Sequence, residues 1–350
     1  MTTKPLIIPV FLPAMGCRER CLFCNQKASV GGLSSPLSVR NFIETSLPAL
    51  SSEGKEREKQ IAFYGGSFTA IHRDDQVRYL KEVQPFLVSG LIDSIRISTR
   101  PDALDEETLS LLKEYGVKTI EVGVQSMIDE VLFFARRGHC AANTVDAVCR
   151  LKDKNFEVGL QLMIGLPGDT LDRFLQTLDR VIELKPDFLR IHPTLVLKGA
   201  PLEDMWRAAD YSPMPLGEAV QWLKRGILKL EKSSIRVVRI GLQPTRELQR
   251  DYLAGPYHPA LHQLVDSAIF FDMATSLLQR FQKNGQTVFQ CHPKEVSNLR
   301  GQKNENILKL KKDFNLGEIL IERREELPRG FLVLQTLGGE ISIHRRSFGY

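Results

Sequence analysis

The stretch Cys17-Arg18-Glu19-Arg20-Cys21-Leu22-Phe23-Cys24 constrains this chain more than any other, placing three thiols within eight residues of each other directly after an apolar, strand-like run from Leu6 to Leu12. Three thiolates at this spacing can share one metal centre. A [4Fe–4S] cluster held by three cysteines keeps one iron open to an outside ligand. Two plainer readings stand beside it, a zinc knuckle and three unrelated buried thiols. A structural zinc site asks for four ligands, usually as two separated pairs, and the stretch Asn25 to Leu33 supplies no His and no further Cys.

A chain of 350 residues can hold two ordinary domains or one α/β barrel with an appendage, and 43% hydrophobic with 25% charged residues is the balance of a globular protein. No apolar run approaches the roughly 20 residues of a membrane span. The N-terminal Met1-Thr2-Thr3-Lys4-Pro5 leads straight through its apolar stretch into the cysteine loop, without a signal-peptide cleavage pattern. A cytoplasmic location is therefore expected, in a reducing compartment that suits an oxygen-sensitive cluster. Cys140, Cys149 and Cys291 are scattered and read as free thiols. The net charge of +5 is too small to imply nucleic acid, but Gln221 to Tyr252 carries eight Lys/Arg (Lys224, Arg225, Lys229, Lys232, Arg236, Arg239, Arg246 and Arg250) against three acids. Such a run is either a phosphate-facing surface or a solvated helix face.

Short β-branched runs alternate with helix-period segments, the pattern of repeated βα units on a parallel sheet. Strands are expected at 6–12, 60–64, 92–98, 118–124, 156–163 and 187–193. Helices are expected at 37–50, 75–87, 105–114, 127–135, 143–153 and 170–184. Asp105 with Thr108, and Asp169-Thr170, mark helix starts. Six such units with right-handed crossovers curl into a partial (β/α)6 TIM-like barrel, in which ligands sit at the C-terminal ends of the strands. Beyond it the pattern gives a small α+β extension: a helix at 258–283, a turn at Asn284-Gly285, a strand at 287–290, a helix near 303–312 and strands near 316–322 and 331–344. The domain division expected is 1–245 for the barrel with its cysteine loop and 246–350 for an accessory or substrate domain.

The cysteine spacing, Phe23 before the third cysteine and the position after a first strand resemble the radical S-adenosylmethionine (SAM) superfamily. That resemblance implies that Cys17, Cys21 and Cys24 hold a [4Fe–4S] cluster whose open iron is chelated by SAM. It also implies cleavage to a 5′-deoxyadenosyl radical that abstracts a substrate hydrogen, with electrons from an external donor of flavodoxin or ferredoxin type. Carried over position by position, it assigns SAM contacts to the Tyr64-Gly65-Gly66-Ser67 loop after the second strand, where Ser67 replaces a common Glu. It assigns a ribose contact to Ser98, where coproporphyrinogen oxidases carry a Glu. Gln125 and, twelve residues on, Arg137 match a Gln and a carboxylate-binding Arg of those oxidases, and Gln161 matches a further SAM-contacting position. Arg100 is read as pairing with a neighbouring acid or touching substrate, and His139 as a supporting or substrate-side group. The Leu162 to Thr170 segment resembles the turn that flanks adenine.

The run from Arg190-Ile191-His192-Pro193 through Gly199-Ala200-Pro201-Leu202 and Tyr211-Ser212-Pro213 to Arg236-Val237-Val238-Arg239 resembles the radical SAM domain of the Elongator catalytic subunit, a tRNA wobble-uridine modifier. The likeness covers roughly 5–245. It departs in the cysteine spacing, which here is the superfamily's usual one, and in lacking room for the acetyltransferase domain. RNA, possible tRNA, is thus one substrate class. A small metabolite or porphyrin-like acid is the second, and a non-catalytic iron–sulfur or zinc protein is the reading from another class.

Overall fold

The computed structural model describes residues 4–12, 14–17, 20–25, 36–51, 57–233, 235–280, 287–336 and 339–348. Packing divides the chain into two units, Met1–Pro213 with Gln243–Gly255, and Met214–Leu242 with Pro256–Tyr350.

The first unit alternates strands and helices: β1 (Leu6–Phe11), α1 (Pro36–Ser51), β2 (Lys59–Tyr64), α2 (Arg73–Val88), β3 (Ser94–Thr99), α3 (Glu106–Glu114), β4 (Val117–Gln125), α4 (Asp129–Phe134), α5 (Ala141–Asp153), β5 (Glu157–Ile164), α6 (Leu171–Leu184) and β6 (Phe188–Pro193). Every one of these elements lies within two residues of its expected ends. The six strands pair in parallel in chain order. After β6 come β7 (Val196–Leu197), α7 (Pro201–Arg207), α9 (Arg246–Asp251) and β9 (Tyr252–Ala254), with β7 and β9 antiparallel.

Period-two alternation decides which face of each strand meets the helices. Ile95 and Ile97 of β3, Ile120 and Val122 of β4, and Val158, Leu160 and Leu162 of β5 are all at most 1% exposed. Each such side chain contributes roughly 1.5–3 kcal/mol by leaving water. The opposite positions carry Gln60, Arg96, Glu121, Glu157, Gln161 and Arg190, so the concave face is polar. Helix starts are set by side-chain caps: Asp105 accepts from Thr108 N (2.7 Å) and Thr170 from Arg173 N (3.2 Å). The expected N-cap at Asp169-Thr170 is thus Thr170.

The second unit contains α8 (Leu216–Glu231), β8 (Arg236–Ile240), α10 (Leu261–Arg280), β10 (Thr287–Cys291), α11 (Val296–Arg300), α12 (Glu305–Asp313), β11 (Ile319–Arg323), β12 (Phe331–Thr336) and β13 (Gly339–His344). A four-stranded sheet runs β11-β10-β12-β13, parallel in its first pair and antiparallel thereafter. Its strands β12 and β13 pack against α10, and Phe270 of α10, Phe289 of β10 and Leu334 of β12 are buried. The single strand expected over 331–344 is instead two antiparallel strands in register from Phe331↔His344 to Thr336↔Gly339. The turn at Asn284-Gly285 and the last residues of the helix expected to 283 lie outside the described residues. Arg345 bridges Glu231 of α8 (2.7 Å) and Asp266 of α10 (2.9 Å), fixing the end of β13 to both helices.

Candidate active site at the cysteine loop

Glycines at the end of β2 let the cysteine loop lie directly on the sheet. A Cβ at Gly66 would stand 2.4 Å from Met15 O and 2.8 Å from Leu12 O, and one at Gly16 would stand 2.3 Å from Ser67 O. All three distances are closer than real Cβ contacts, so backbone meets backbone here. Ser67 N donates to Met15 O (2.9 Å) and Ala14 N to Gly65 O (2.9 Å). The Tyr64-Gly65-Gly66-Ser67 loop therefore has a structural task in seating the thiols.

The far side of the loop is held by the segment after β6. Leu202 N donates to Leu22 O (2.9 Å), Arg20 donates to Gly199 O (2.6 Å) and Asn25 donates to Lys198 O. Leu22 packs with Val196, Leu202 and Tyr211, and Phe23 lies between this cluster and a second one built from Val131, Ala135, Met163 and Leu166. The stretch from Arg190 to Tyr211 thus docks the cysteine loop, a role that its order of residues alone did not disclose.

Cys21 is buried and Cys17 and Cys24 are half-buried. Burial first, then the charges of Cys21 and Cys17, push the Cys24 thiol up to about 11, so the three sulfurs are close enough to act on one another. Arg137 Nη1 donates to Cys21 Sγ (3.0 Å), its Nη2 donates to Gly123 O (2.5 Å), and Cys17 Sγ lies 3.6 Å from Ser67 Oγ. Among the described residues no three His, Cys, Asp or Glu side chains stand as a ready-made metal-ion site, so the trio is a set of neighbouring donors rather than a closed cage.

The end of β4 is shaped for this arginine. A bulge between Gly123 and Gln125 puts Gln125 at φ +69, a conformation that side chains other than glycine adopt rarely and that clusters at functional sites. A Cβ at Gly123 would sit 3.3 Å from Arg137 Nη2, so the bare backbone admits the guanidinium. Two buried polar atoms here lack a hydrogen-bond partner among the described residues, Gln125 Oε1 and Arg137 Nε, and the buried His139 imidazole stands beside them against the Val124 backbone. Burial, reinforced by Arg137, lowers His139 to about 4, so its imidazole is neutral at pH 7 and offers one donor and one acceptor. Orphaned buried groups are rare. Gathered beside three thiols, they fit a polar cofactor bound over a cluster.

Arg100 takes the first of its two expected roles. It makes a two-point pair with Asp102 (2.7 and 2.9 Å) and donates to Arg137 O (2.9 Å), bracing the loop that carries Arg137. Ser98 is half-buried and faces a small gap lined by Leu12, Tyr64, Gly66 and Phe68, and Gln161 lies half-buried on the concave face of β5. In the turn after β5, Asp169 accepts from Gly165 N and Thr170 N (both 3.0 Å), and burial pushes its carboxyl up to about 7.

A polar cluster across the concave face went unread in the sequence. Glu121 pairs with Arg96 (2.8 Å) and Arg190 (2.8 Å) and accepts from the Tyr64 hydroxyl (2.8 Å), while Arg96 also donates to Gln60 (2.9 Å) and lies over the Phe188 ring. Burial and Glu121 push the Tyr64 phenol up. Its members come from four strands, β2, β3, β4 and β6, and only the parallel register brings them together.

The basic run does not form one phosphate-facing surface. Lys224 is buried and bonded to Asp272, Arg250 is paired with Asp251 (2.9 Å), and the run is split between the two units. Period-3.6 packing explains this: Lys224 lies on the face of α8 that also buries Leu223, Ile227 and Leu228.

The chain matches the sequence model of the Radical SAM superfamily over residues 11–181 and that of the Radical_SAM C-terminal domain over 186–270. A tRNA uridine(34) acetyltransferase of Methanocaldococcus jannaschii is 34% identical over 128 residues, which are 36% of this chain and 24% of that protein. Elongator complex protein 3 of Homo sapiens is 35% identical over 153 residues, 42% of this chain and 27% of that protein. This chain therefore spans about a quarter of the length of these curated relatives. Elp3 of Methanocaldococcus infernus, solved with an N-terminal deletion, shares the fold at a TM-score of 0.60 and 22% identity over 77% of this chain and 63% of that one. No helix among the described residues is long and apolar enough to cross a membrane. With the two family matches running through 11–270 and the thiols, bulge and glycine loop at the C-terminal ends of its strands, the chain belongs to the radical SAM superfamily and is an enzyme of that kind.

Proposed function

We propose that the protein uses a [4Fe–4S] cluster to cleave SAM and abstract hydrogen from an RNA substrate, with the unit of residues 1–213 and 243–255, rather than an unbroken 1–245, carrying the chemistry and the unit of 214–242 and 256–350 serving the substrate. The observation that carries this reading is the set of three neighbouring thiols, with Arg137 Nη1 3.0 Å from Cys21 Sγ, beside unpartnered atoms of Gln125 and Arg137. Cys17, Cys21 and Cys24 would hold the cluster, which when bound supplies one electron to SAM and so generates the 5′-deoxyadenosyl radical. Gly65, Gly66, Ser67, Ser98, Gln125, Arg137 and Gln161 would orient SAM, and Phe23 would wall the loop. An external flavodoxin- or ferredoxin-type donor would reduce the cluster. The packed loop buries Cys21 and holds the three thiols in place, which is the orientation a positioned reaction needs.

The choice of RNA over a small acid rests on two supports. Relatives that are 34% and 35% identical to this chain over 128 and 153 residues, about a quarter of their own length, are named for tRNA uridine and Elongator functions. Within the barrel, Arg96 and Arg190 are already paired with Glu121, so a carboxylate substrate entering there would have to displace an internal partner.

Arg137→Lys should weaken SAM binding while leaving iron content unchanged. A lysine cannot reproduce the planar fork, and a loss of roughly 1–3 kcal/mol, about five- to 150-fold in affinity, follows. Isothermal titration with reconstituted protein reads it, and equal SAM affinity in the variant would remove Arg137 from the cofactor site. For the substrate, binding of bulk tRNA across a salt series decides. Each phosphate neutralised contributes about −0.7 to the log–log slope for single strands, so three or more contacts give about −2 or steeper. A shallow slope, or no tRNA association at all, would favour the small-acid reading.

A further inference from the structure

Helix α4 ends in two phenylalanines that the barrel leaves in water. Phe133 is 78% exposed and Phe134 44%, with ring centroids 5.9 Å apart, and together they form an apolar patch rather than the scattered single residues normal on a surface. Phe134 leans on the turn after β5, where a Cβ at Gly168 would stand 2.7 Å from its ring. Arg136 is exposed as well and has no carboxylate paired to it among the described residues. Its backbone holds φ +52 just past the end of α4, where Arg136 N donates to Phe133 O and Arg137 N to Leu132 O (both 3.0 Å). Glycine is the usual residue in that helix ending, so an arginine stands where the backbone alone would not select one. All of this borders the thiols. Ala135 O accepts from Leu22 N (3.1 Å), and Arg137, next after Arg136, donates to Cys21 Sγ (3.0 Å). On the cysteine loop itself Arg20 is exposed and gives its Nη2 to the Gly199 carbonyl. Of the acids on α4, Glu130 is neutralised by Arg173 (2.6 Å) and Asp129 is turned to Ala141 N at the start of α5 (2.7 Å).

We propose that the end of α4, with Phe133 at its centre and Arg136 at its edge, is the docking surface for an acidic one-electron carrier protein that reduces the cluster, an inference that rests on the iron–sulfur reading given above. Each cleavage of SAM takes one electron from the cluster, so an electron must first arrive from outside. The step is a transfer alone: the carrier's reduced centre loses one electron, the cluster gains it, and no bond or proton moves. Electron-transfer partners meet over small, transient interfaces, below about 1,200 Å2, with aromatics and arginine enriched at the centre and charge steering the encounter. The patch has that composition, and its cation is exposed and unpaired, unlike the buried Arg96 held by Glu121. Position favours an electron carrier over RNA. The inner side of α4, Val131 and Ala135, packs on Phe23 of the cysteine loop, so a protein seated on the outer side is one helix away from the thiols. A substrate C–H bond has to enter the concave side of the barrel, whereas an electron only has to come near the cluster.

The test uses the full reconstituted chain, an acidic flavodoxin as probe, and the variants Phe133→Ser and Arg136→Gly. Glycine adopts the Arg136 backbone without strain and Phe133 is mostly in water, so both variants should keep the wild-type melting temperature and iron content. Binding of oxidised flavodoxin, read by isothermal titration, should weaken about five-fold or more in each, and SAM cleavage driven by photoreduced flavodoxin should slow by a similar factor. Dithionite, a small reductant that needs no docking surface, should drive cleavage equally in all three proteins. Added salt should slow the flavodoxin-driven rate in wild type, and less so in Arg136→Gly. If dithionite drives cleavage and flavodoxin serves the three proteins equally, or binds none of them, the docking proposal fails and the iron–sulfur reading stands. Loss of bulk tRNA binding in the variants with flavodoxin binding unchanged would assign the patch to RNA and overturn the proposal as well. Absence of SAM cleavage by wild type under dithionite overturns the reading and the proposal together.

Discussion

Cys21→Ala, purified anaerobically and reconstituted, will carry no cluster: iron and sulfide will fall from about four of each per chain to background. Cys21 is the buried member of the trio, its sulfur receives the Arg137 guanidinium at 3.0 Å, and its backbone lies in the stretch pinned by Leu22 between Ala135 and Leu202. No other thiol can substitute. Cys140 and Cys149 are exposed on and beside α5, and Cys291 is buried in the β10 strand, where desolvation pushes its thiol up to about 11. Cys140→Ala, Cys149→Ala and Cys291→Ala should therefore keep the full iron complement. The same preparation decides between cluster and zinc, because stoichiometric zinc without the brown chromophore in wild type would defeat the iron–sulfur reading. Melting curves of the apo forms give the control: Cys21→Ala should fall below iron-free wild type only by the roughly 1–3 kcal/mol of leaving the buried Arg137 donor without its sulfur, since Leu22, Arg20 and Asn25 still hold the loop.

The barrel was legible in the sequence because its signals are local. Strand periodicity, the Asp105 and Thr170 caps, and turns around Gly65, Gly165 and Gly168 each act over a few residues, so the elements fall where they are expected. What local signals miss is register. Glu121, Arg96, Arg190 and Tyr64 are separated by 25 to 126 positions along the chain, and nothing in any one strand marks them as partners. Distance along the chain likewise hides the docking role of Leu202 and Tyr211, whose partner Leu22 lies far upstream in the cysteine loop. The basic run failed for the complementary reason. Counting charges ignores which face of α8 each one occupies, and Lys224 points inward. The SAM-contact residues were named by resemblance rather than by chemistry. The structure adds, at two of those positions, a bulge at Gln125 and an unpartnered Arg137 Nε, neither of which the sequence disclosed.

Glu121→Leu should cost the first unit about 3–5 kcal/mol, the usual price of breaking a buried ion pair from one side. Glu121 and Arg96 have side chains 4% and 5% exposed, so removing the carboxylate leaves two guanidinium groups facing each other in a low-dielectric barrel. Arg96 would retain Glu157 at 3.8 Å, and Arg190 only the Tyr64 hydroxyl at 3.3 Å. Leucine is close to glutamate in volume, so a cavity adds little and the loss reads the charge. Urea denaturation followed by near-ultraviolet circular dichroism reports the shift, and a change below about 1 kcal/mol would mean that water already screens the cluster. The double variant Glu121→Leu with Arg190→Leu separates the causes. If uncompensated charge is responsible, removing Arg190 as well should restore part of the loss, whereas simple packing damage would add to it. A partial rescue would also bear on substrate: it would show Arg190 to be a guanidinium that the fold itself neutralises, rather than one kept open for the carboxylate of a small acid.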